Sequence, residues 1–530
     1  MRELSAVLIY PNTNDVAFAS LGFLKVFEML KERVRLADFS FLPDFGAGRP
    51  GKRARTGRRF HSRRGRAGRA SSAVLSPKQG LLLGFLSGNP VKSFDLICFS
   101  ISYENDYVHV AELLARAGIP ILASERPALF PLVVCGGFTM TLNPEPLADI
   151  ADVAVVGEAE CVLDDLLGGV GGGCAGGTDG RGGAAAKAEV LGRLARIDGI
   201  YVPSAPRPRV RRVWAPACDI AAEPPAQAPS HFGKMLLVEV GRGCGRGCFF
   251  CAAGNLYRPV RMREAEEILE RSRGAEKVGL LGTAVGDHLG LEGMLREITA
   301  RGCEVSVSSF RADEITRGIA DLLVAGGMKT IAIAPEAGSE PLRRRINKRL
   351  SDDQIVEAVS VLASAGMKTI KLYFMIGLPG EEDADVEAAV DLVKRLSNVR
   401  GSSRLSIAAG PFVPKPQTAF QWSPFAPLAT LRRRAAVLSA VRRIRGCSLT
   451  LGSLDEAWLE AVLARGDRSL GGLIADSALK GIPFAKLLKQ RPDLDPTRGL
   501  DTAKPLPWDF IDSGVSKKRL EADLARSRRG

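Results

Sequence analysis

The segment Glu239-Val-Gly-Arg-Gly-Cys-Gly-Arg-Gly-Cys-Phe-Phe-Cys251 decides how this chain is read. It places Cys244, Cys248 and Cys251 in a CxxxCxxC cluster on a glycine-rich loop, directly after the apolar run 235–240. Three thiolates so close in sequence can wrap one metal centre, and three rather than four leave one metal position open. An iron–sulfur cluster takes its thiolates on iron, and an iron without one can accept an exogenous ligand. Such a cluster binds a small molecule as well as passing electrons. Structural zinc is the alternative. The triplet has no evident fourth ligand for it, and His231, ahead of the strand, is poorly placed to serve.

Outward from this loop the pattern is regular. Strands are expected at 235–240, 277–281, 304–308, 329–334, 368–375 and 404–409, with helices at 263–272, 291–300, 313–325, 352–365 and 385–396. Six strands linked by helices predict a partial parallel (β/α)6 barrel, because right-handed crossovers curl successive units the same way. Barrel chemistry collects at the carboxyl ends of the strands, where the cysteine loop lies.

The first third also alternates strand and helix. Apolar runs at 6–10, 94–100, 118–122, 131–137 and 152–157 read as strands, with helices at 17–31 and 108–117. Such runs imply a Rossmann-like, doubly wound parallel sheet with ligands at its carboxyl ends. The expected organisation is an N-terminal domain at 1–202, a Pro- and Ala-rich linker at 203–230, the barrel at 231–425 and a helical region at 426–530. In the last, 428–444, 454–464 and 470–479 read as helices and 506–511 as a docked tail.

A chain of 530 residues, 46% hydrophobic, is long enough for two or three packed domains. No apolar run approaches the ~20 residues of a membrane helix, and the first ten residues read as a strand rather than a signal peptide. Ten cysteines, scattered apart from the triplet, fit a reducing, cytoplasmic compartment. The net charge of +14 owes most to 46–72, which carries Arg49, Lys52, Arg53, Arg55, Arg58, Arg59, Arg63, Arg64, Arg66 and Arg69 and no acid. Its composition cannot bury a core, so it is expected to be a disordered insertion; a polyanion-binding arm is the alternative. The glycine-rich stretch 168–183 is expected to be a loop.

At the cysteine loop the sequence resembles the radical S-adenosylmethionine (SAM) enzymes, whose signature is CxxxCx(aromatic)C after the first barrel strand. Cys244, Cys248, Phe250 and Cys251 fit it. The resemblance implies a 4Fe–4S cluster on the three thiolates. SAM would be chelated by the fourth iron and cleaved by one electron to a 5′-deoxyadenosyl radical, the hard chemistry belonging to the cofactor. It also implies a one-electron reductant such as flavodoxin or ferredoxin. By the same resemblance SAM contacts fall on Gly282 and Thr283 after the second strand, on Ser309 and Arg311 after the third, on Glu336 and then Ser339 after the fourth, and on the backbone near Ile376 and Gly377, which would meet adenine. Glu336 has a simpler role open to it, capping a turn.

Tyr103-Glu104, Gly136-Gly137, Asn143-Pro-Glu-Pro146, Val156-Gly-Glu158, Tyr257-Arg-Pro-Val-Arg261 and Pro411-Phe-Val-Pro-Lys-Pro416 look like a subgroup with an N-terminal cobalamin-binding-type domain. The Asp-x-His-x-x-Gly loop that supplies a cobalt ligand in many such domains is missing; the histidines are His61, His109, His231 and His288. Cobalamin then binds without that ligand, or the domain has lost it.

Cys98, Cys135, Cys161, Cys303 and Cys447 are expected to be packing residues, His288 a polar surface residue or a substrate or SAM contact, and Lys348 and Arg349 solvated. Three functions stand together: a radical SAM enzyme acting by hydrogen abstraction or cobalamin-assisted methyl transfer on an unidentified substrate; an RNA-modifying enzyme docking nucleic acid on its basic insertion and C-terminal helices; and a non-catalytic iron–sulfur or corrinoid-binding protein.

Overall fold

The computed structural model describes residues 4–43, 80–171, 183–215, 221–222 and 235–529. The expected basic insertion, most of the glycine-rich stretch, His61, Cys174, Cys218 and His231 lie outside them.

The N-terminal sheet comprises β1 (Ser5–Tyr10), β2 (Leu36–Phe41), β3 (Leu96–Ser100), β4 (Leu132–Gly136), β5 (Val153–Val155) and β6 (Ile200–Tyr201), in the order β2-β1-β3-β4-β5-β6. It is mixed: β6 pairs antiparallel with β5, while the rest are parallel. β1 is buried along its whole length, as a strand covered on both faces must be. The chain leaves β1 for β2 on one side and reaches β3 on the other. This reversal makes a switch point at Pro11–Asn12 and Ser100–Ser102, the usual place for a ligand.

The strand expected at 118–122 does not form. Pro120 has no N–H to give to a ladder, and the Arg126 guanidinium takes the carbonyls of Pro120 and Ile121 at 2.7 and 2.8 Å. Ile119 and Ile121 still enter the core. Cys161, expected to pack, is exposed in the short turn Ala159–Cys161.

After β7 (Val210–Arg211) and β8 (Ala221–Ala222), the partial barrel begins with β9 (Leu236–Arg242), whose free edge is covered by β8 and by β10 (Arg261–Met262). It continues through β11 (Lys277–Gly282), β12 (Glu304–Val307), β13 (Thr330–Glu336), β14 (Thr369–Ile376), β15 (Arg404–Pro411) and β16 (Cys447–Leu451), all parallel. Between β12 and β13 the ladder thins to one bridge, where Phe310 N–H donates to Ala332 at 3.0 Å. β16 is a seventh parallel strand, one beyond the six expected. Along β14, Ile370, Leu372, Phe374 and Ile376 are buried against the helical layer, so Lys371, Tyr373 and Met375 face inward.

The C-terminal region is largely helical. The helix Leu470–Lys480 packs on Tyr107–Ala117 of the N-terminal domain. Trp508 is buried and donates its indole N–H to Gln421 at 2.7 Å. β17 (Ile511–Asp512) pairs with β7, anchoring the first half of the expected linker. Among the described residues no helix is long and apolar enough to cross a membrane.

Candidate functional site

The cysteine loop leaves the carboxyl end of β9 through Gly243. A Cβ there would run into the Tyr257 carbonyl, and its φ of 89° is unfavourable for any other residue. The loop is pinned from the side by the segment after the helix Glu340–Arg345: Phe249 N–H donates to Ile346 at 3.1 Å, and the Asn347 amide donates to Gly247 at 2.7 Å. Cys251 caps the short helix Ala252–Leu256, its sulfur accepting from Gly254 N–H at 3.3 Å. Burial pushes the Cys248 thiol up to about 11, with Lys348 and Arg311 pulling the other way. Cys251 is raised as well, by burial first, against the Gly254 N–H. These thiols need a cation to ionise. Among the described residues no three His, Cys, Asp or Glu side chains converge as they would on a single metal ion.

Beside the thiols lies a buried ion pair. Lys348 Nζ sits 3.3 Å from Glu336, with the two side chains only 8% and 16% exposed. Burial raises the Glu336 carboxyl, against the pull of Lys348 and then Arg311. Glu336 sits where the β13–β14 register shifts, at a φ of 71°, an uncommon conformation for a residue with a side chain. Lys348, expected to be solvated, is turned inward between Asn347 and Arg349, both left-handed at 59° and 52°. Only Arg349 is exposed. The fully buried Arg343 holds this corner together, donating to Leu350 at 2.7 Å, Gly338 at 2.9 Å and Ala337 at 3.0 Å.

The other expected contacts divide. Arg311 is close enough to act on Cys248; its side chain donates to Asp313 at 2.9 Å and to the Lys348 carbonyl at 3.0 Å. Ser309 is exposed just beyond β12. Ser339 caps the helix Glu340–Arg345 and bonds Asp385, so its hydroxyl is engaged away from the thiols. At Ile376 and Gly377 two backbone groups are committed: Gly377 N–H donates to Glu381 at 2.6 Å and Phe412 N–H donates to Ile376 at 2.8 Å. His288 accepts from Gly290 N–H at 3.0 Å through Nδ1, which leaves Nε2 to donate to the Arg263 carbonyl at 2.7 Å. It therefore ties two loops together.

Gly282 and Thr283 line a cavity of about 410 Å³ between the N-terminal sheet and the barrel. Its floor is apolar (Leu8, Cys98, Val134) and its wall is the helix Leu21–Arg33. Its mouth holds Ser100, Ser102, Gly137 and Gly157 together with Gly241 of β9. Gly137 and Gly157 are required by the protein itself: a Cβ at either would strike the backbone of Ile101 or Val213.

The motifs shared between the two halves meet at this boundary. Glu158 accepts from Arg261 at 2.7 and 2.9 Å and pairs with Arg242 at 2.7 Å; Arg242 also reaches Glu160 and Glu239. Burial alone would raise the Glu158 carboxyl, but Arg261 and Arg242 outweigh it and hold it low. Lys415 bridges Glu104 at 2.6 Å and Glu460 at 2.7 Å. The buried Asn143 donates to the carbonyls of Gly466 and Ala464 at 2.8 and 3.1 Å. The sequence motifs thus fasten the N-terminal domain, barrel and C-terminal helices to one another. Lys348, Asn347 and Arg242 were missed as site residues; the one local signal was the Asn preceding Lys348.

A family model for the N-terminal part of radical SAM proteins matches residues 69–203, and the radical SAM superfamily model matches 238–393. The chain belongs to the radical SAM superfamily of enzymes, and its N-terminal part matches the N-terminal model of such proteins. An uncharacterized protein of Methanocaldococcus jannaschii is 29% identical over 390 residues, 72% of this chain and 80% of its own. A tRNA-2-methylthio-N(6)-dimethylallyladenosine synthase of Acidithiobacillus ferrooxidans is 28% identical over 190 residues, and the match spans 32% of this chain and 41% of the synthase. Among solved structures, the cobalamin-dependent SAM radical enzyme OxsB with aqua-cobalamin bound superposes with a TM-score of 0.50 at 13% identity. That match covers 76% of this chain and 53% of OxsB, a likeness of fold.

Proposed function

We propose that this protein is a radical SAM enzyme whose Cys244, Cys248 and Cys251 hold a 4Fe–4S cluster and whose N-terminal cavity receives part of a cobalamin. The observation that carries the first half is the company of the thiols: three on one loop at a strand end, next to the buried Lys348–Glu336 pair and Arg311. When bound, the cluster and SAM supply a one-electron cleavage that yields a 5′-deoxyadenosyl radical. The chain's part is to hold and shield. Lys348 and Arg311 favour the thiolate form of Cys248, and Glu336 offers a carboxylate near the same thiol, where an amino or hydroxyl group of SAM would find an acceptor.

For cobalamin the support is the fold and the cavity, whose lining joins apolar strand residues to Ser100, Gly137 and Gly157 beside the switch point and to the charged Glu158 and Arg242. No histidine lines it among the described residues, so cobalt there would lack a protein imidazole. The cavity opens between sheet and barrel, where a methyl carrier would have to work.

Anaerobic reconstitution with iron, sulfide, dithionite and SAM tests the first half. We expect release of 5′-deoxyadenosine, abolished in Cys244→Ala, Cys248→Ala and Cys251→Ala. About one zinc per chain with no labile sulfide would refute it. For the second, hydroxocobalamin should bind with a shifted visible spectrum, and Cys98→Phe, which fills the slot, should abolish the shift while leaving the cluster intact. An unshifted spectrum in the parent protein would rule cobalamin out.

A further inference from the structure

The geometry points to the outer face of the cysteine loop, covered by the helix Lys517–Arg529, as the docking surface for an acidic one-electron carrier protein; this rests on the cluster assignment above. The helix packs against Glu340–Arg345, the element that pins the cysteine loop. Its Arg526 guanidinium lies 5.4 Å from the ring centre of Phe249, the residue following Cys248. Its neighbour across the loop is Arg258, held below its usual range by burial and then by Arg519, with Cys244 and Asp523 acting the other way. One side of this helix therefore sits on the metal loop and the other meets solvent.

That outer side is basic. Lys518, Arg519, Arg526, Arg528 and Arg529 are exposed, as are Arg344 and Arg349 across the groove. Three of these are paired: Arg519 and Arg526 share Asp523, and Arg344 meets Glu340 at 3.5 Å. Among the described residues Lys518, Arg349, Arg528 and Arg529 have no acidic partner. Between helix and loop runs an open groove of about 500 Å³, lined by Phe249, Arg344, Arg349, Ser351 and Arg526 together with Glu340, which pairs with Arg344.

Position and charge select the occupant. Electron transfer weakens steeply with distance, so a reductant must approach the cluster from a side the substrate does not use. Gly282 and Thr283 line the cavity between sheet and barrel, whereas Phe249, the residue following Cys248, lines not that cavity but this groove. A cationic rim around it raises the encounter rate with an anionic protein and fixes its orientation. RNA would also favour the charge, but an RNA on this face would lie behind the cysteine loop, away from the cavity.

The test uses the full-length, anaerobically reconstituted protein. Cluster reduction is followed by stopped-flow absorbance with two reductants, dithionite and a reduced acidic flavodoxin. In the quadruple variant Arg349→Glu/Lys518→Glu/Arg528→Glu/Arg529→Glu, we expect the flavodoxin rate at low salt to fall at least about tenfold and to lose its salt dependence. The dithionite rate should stay within about twofold, which also shows that the variant carries an intact cluster. A flavodoxin rate unchanged by the variant would overturn the docking surface and leave the cluster assignment standing. So would an unchanged rate accompanied by loss of transfer RNA binding, which would reassign the face to RNA. Parent protein with no dithionite-reducible cluster would overturn both.

Discussion

Lys348 carries much of the electrostatics at the cysteine loop. It is the cation acting most strongly on Cys248 and the partner of a Glu336 held in an uncommon backbone conformation. Removing one member of a buried pair leaves the other charged and unsolvated. Lys348→Met should therefore cost about 3 kcal/mol of apoprotein stability, at the low end for buried pairs because Glu336 keeps some exposure. Adding Glu336→Gln should restore at least half, which chemical denaturation of the two single variants and the double variant will show. Additive losses would mean the two residues act separately. This pair could not be read in the sequence. Asn347-Lys-Arg349 is a basic stretch beside a helix start, and only the left-handed backbone on either side of Lys348 turns it inward. The same holds for Ser339: a serine after a strand suits a ligand as well as a helix cap, and Asp385, 46 positions on, is what engages it.

Two elements make their own predictions. Gly243 is the hinge between β9 and the cysteine loop. Gly243→Ala must fit a Cβ against the Tyr257 carbonyl at a φ of 89°, so it should cost at least about 2 kcal/mol and reduce the iron bound per chain. Thermal denaturation and iron analysis together would check this. Where β14 ends, Glu381 accepts from Gly377 and is gripped by Arg434 at 2.7 Å, yet burial pushes its carboxyl up to about 7. Because the folded value lies above the unfolded one, its contribution is fully present below the ordinary carboxylate range and is lost as pH rises towards 7. The parent protein should lose on the order of 3 kcal/mol across that window relative to Glu381→Gln, whose denaturation curves should be flatter with pH though lower overall. Most elements were legible, because parallel strands between helices leave long apolar runs. The failures have local causes. β2, Leu-Ala-Asp-Phe-Ser-Phe41, alternates but holds an aspartate that the turn at Leu86–Ser87 satisfies from afar. β16 is short and follows a helix rich in arginine. Ile119–Leu122 is apolar enough for a strand, but its carbonyls go to Arg126.

At the scale of the whole molecule, three polar joints hold sheet, barrel and C-terminal helices together: Glu158 with Arg242 and Arg261, Lys415 with Glu104 and Glu460, and Asn143 with the turn after Leu454–Arg465. The motifs that form them were visible in the sequence, but their pairing was not, since the partners lie 45 to 323 positions apart. Glu158→Ala strands Arg261 and weakens the hold on Arg242, the residue two before Cys244. It should cost about 3 kcal/mol and split a single calorimetric transition into two, the N-terminal domain separating from the barrel. A single, merely shifted transition would place the coupling elsewhere.

The order of synthesis gives the last helix another meaning. Residues 517–529 leave the ribosome more than 260 positions after Cys251, so throughout that stretch of synthesis this helix does not yet cover Phe249. On the cluster assignment proposed above, the nascent chain would be the stage at which iron delivery meets the least obstruction, and docking of that helix would close the window behind it.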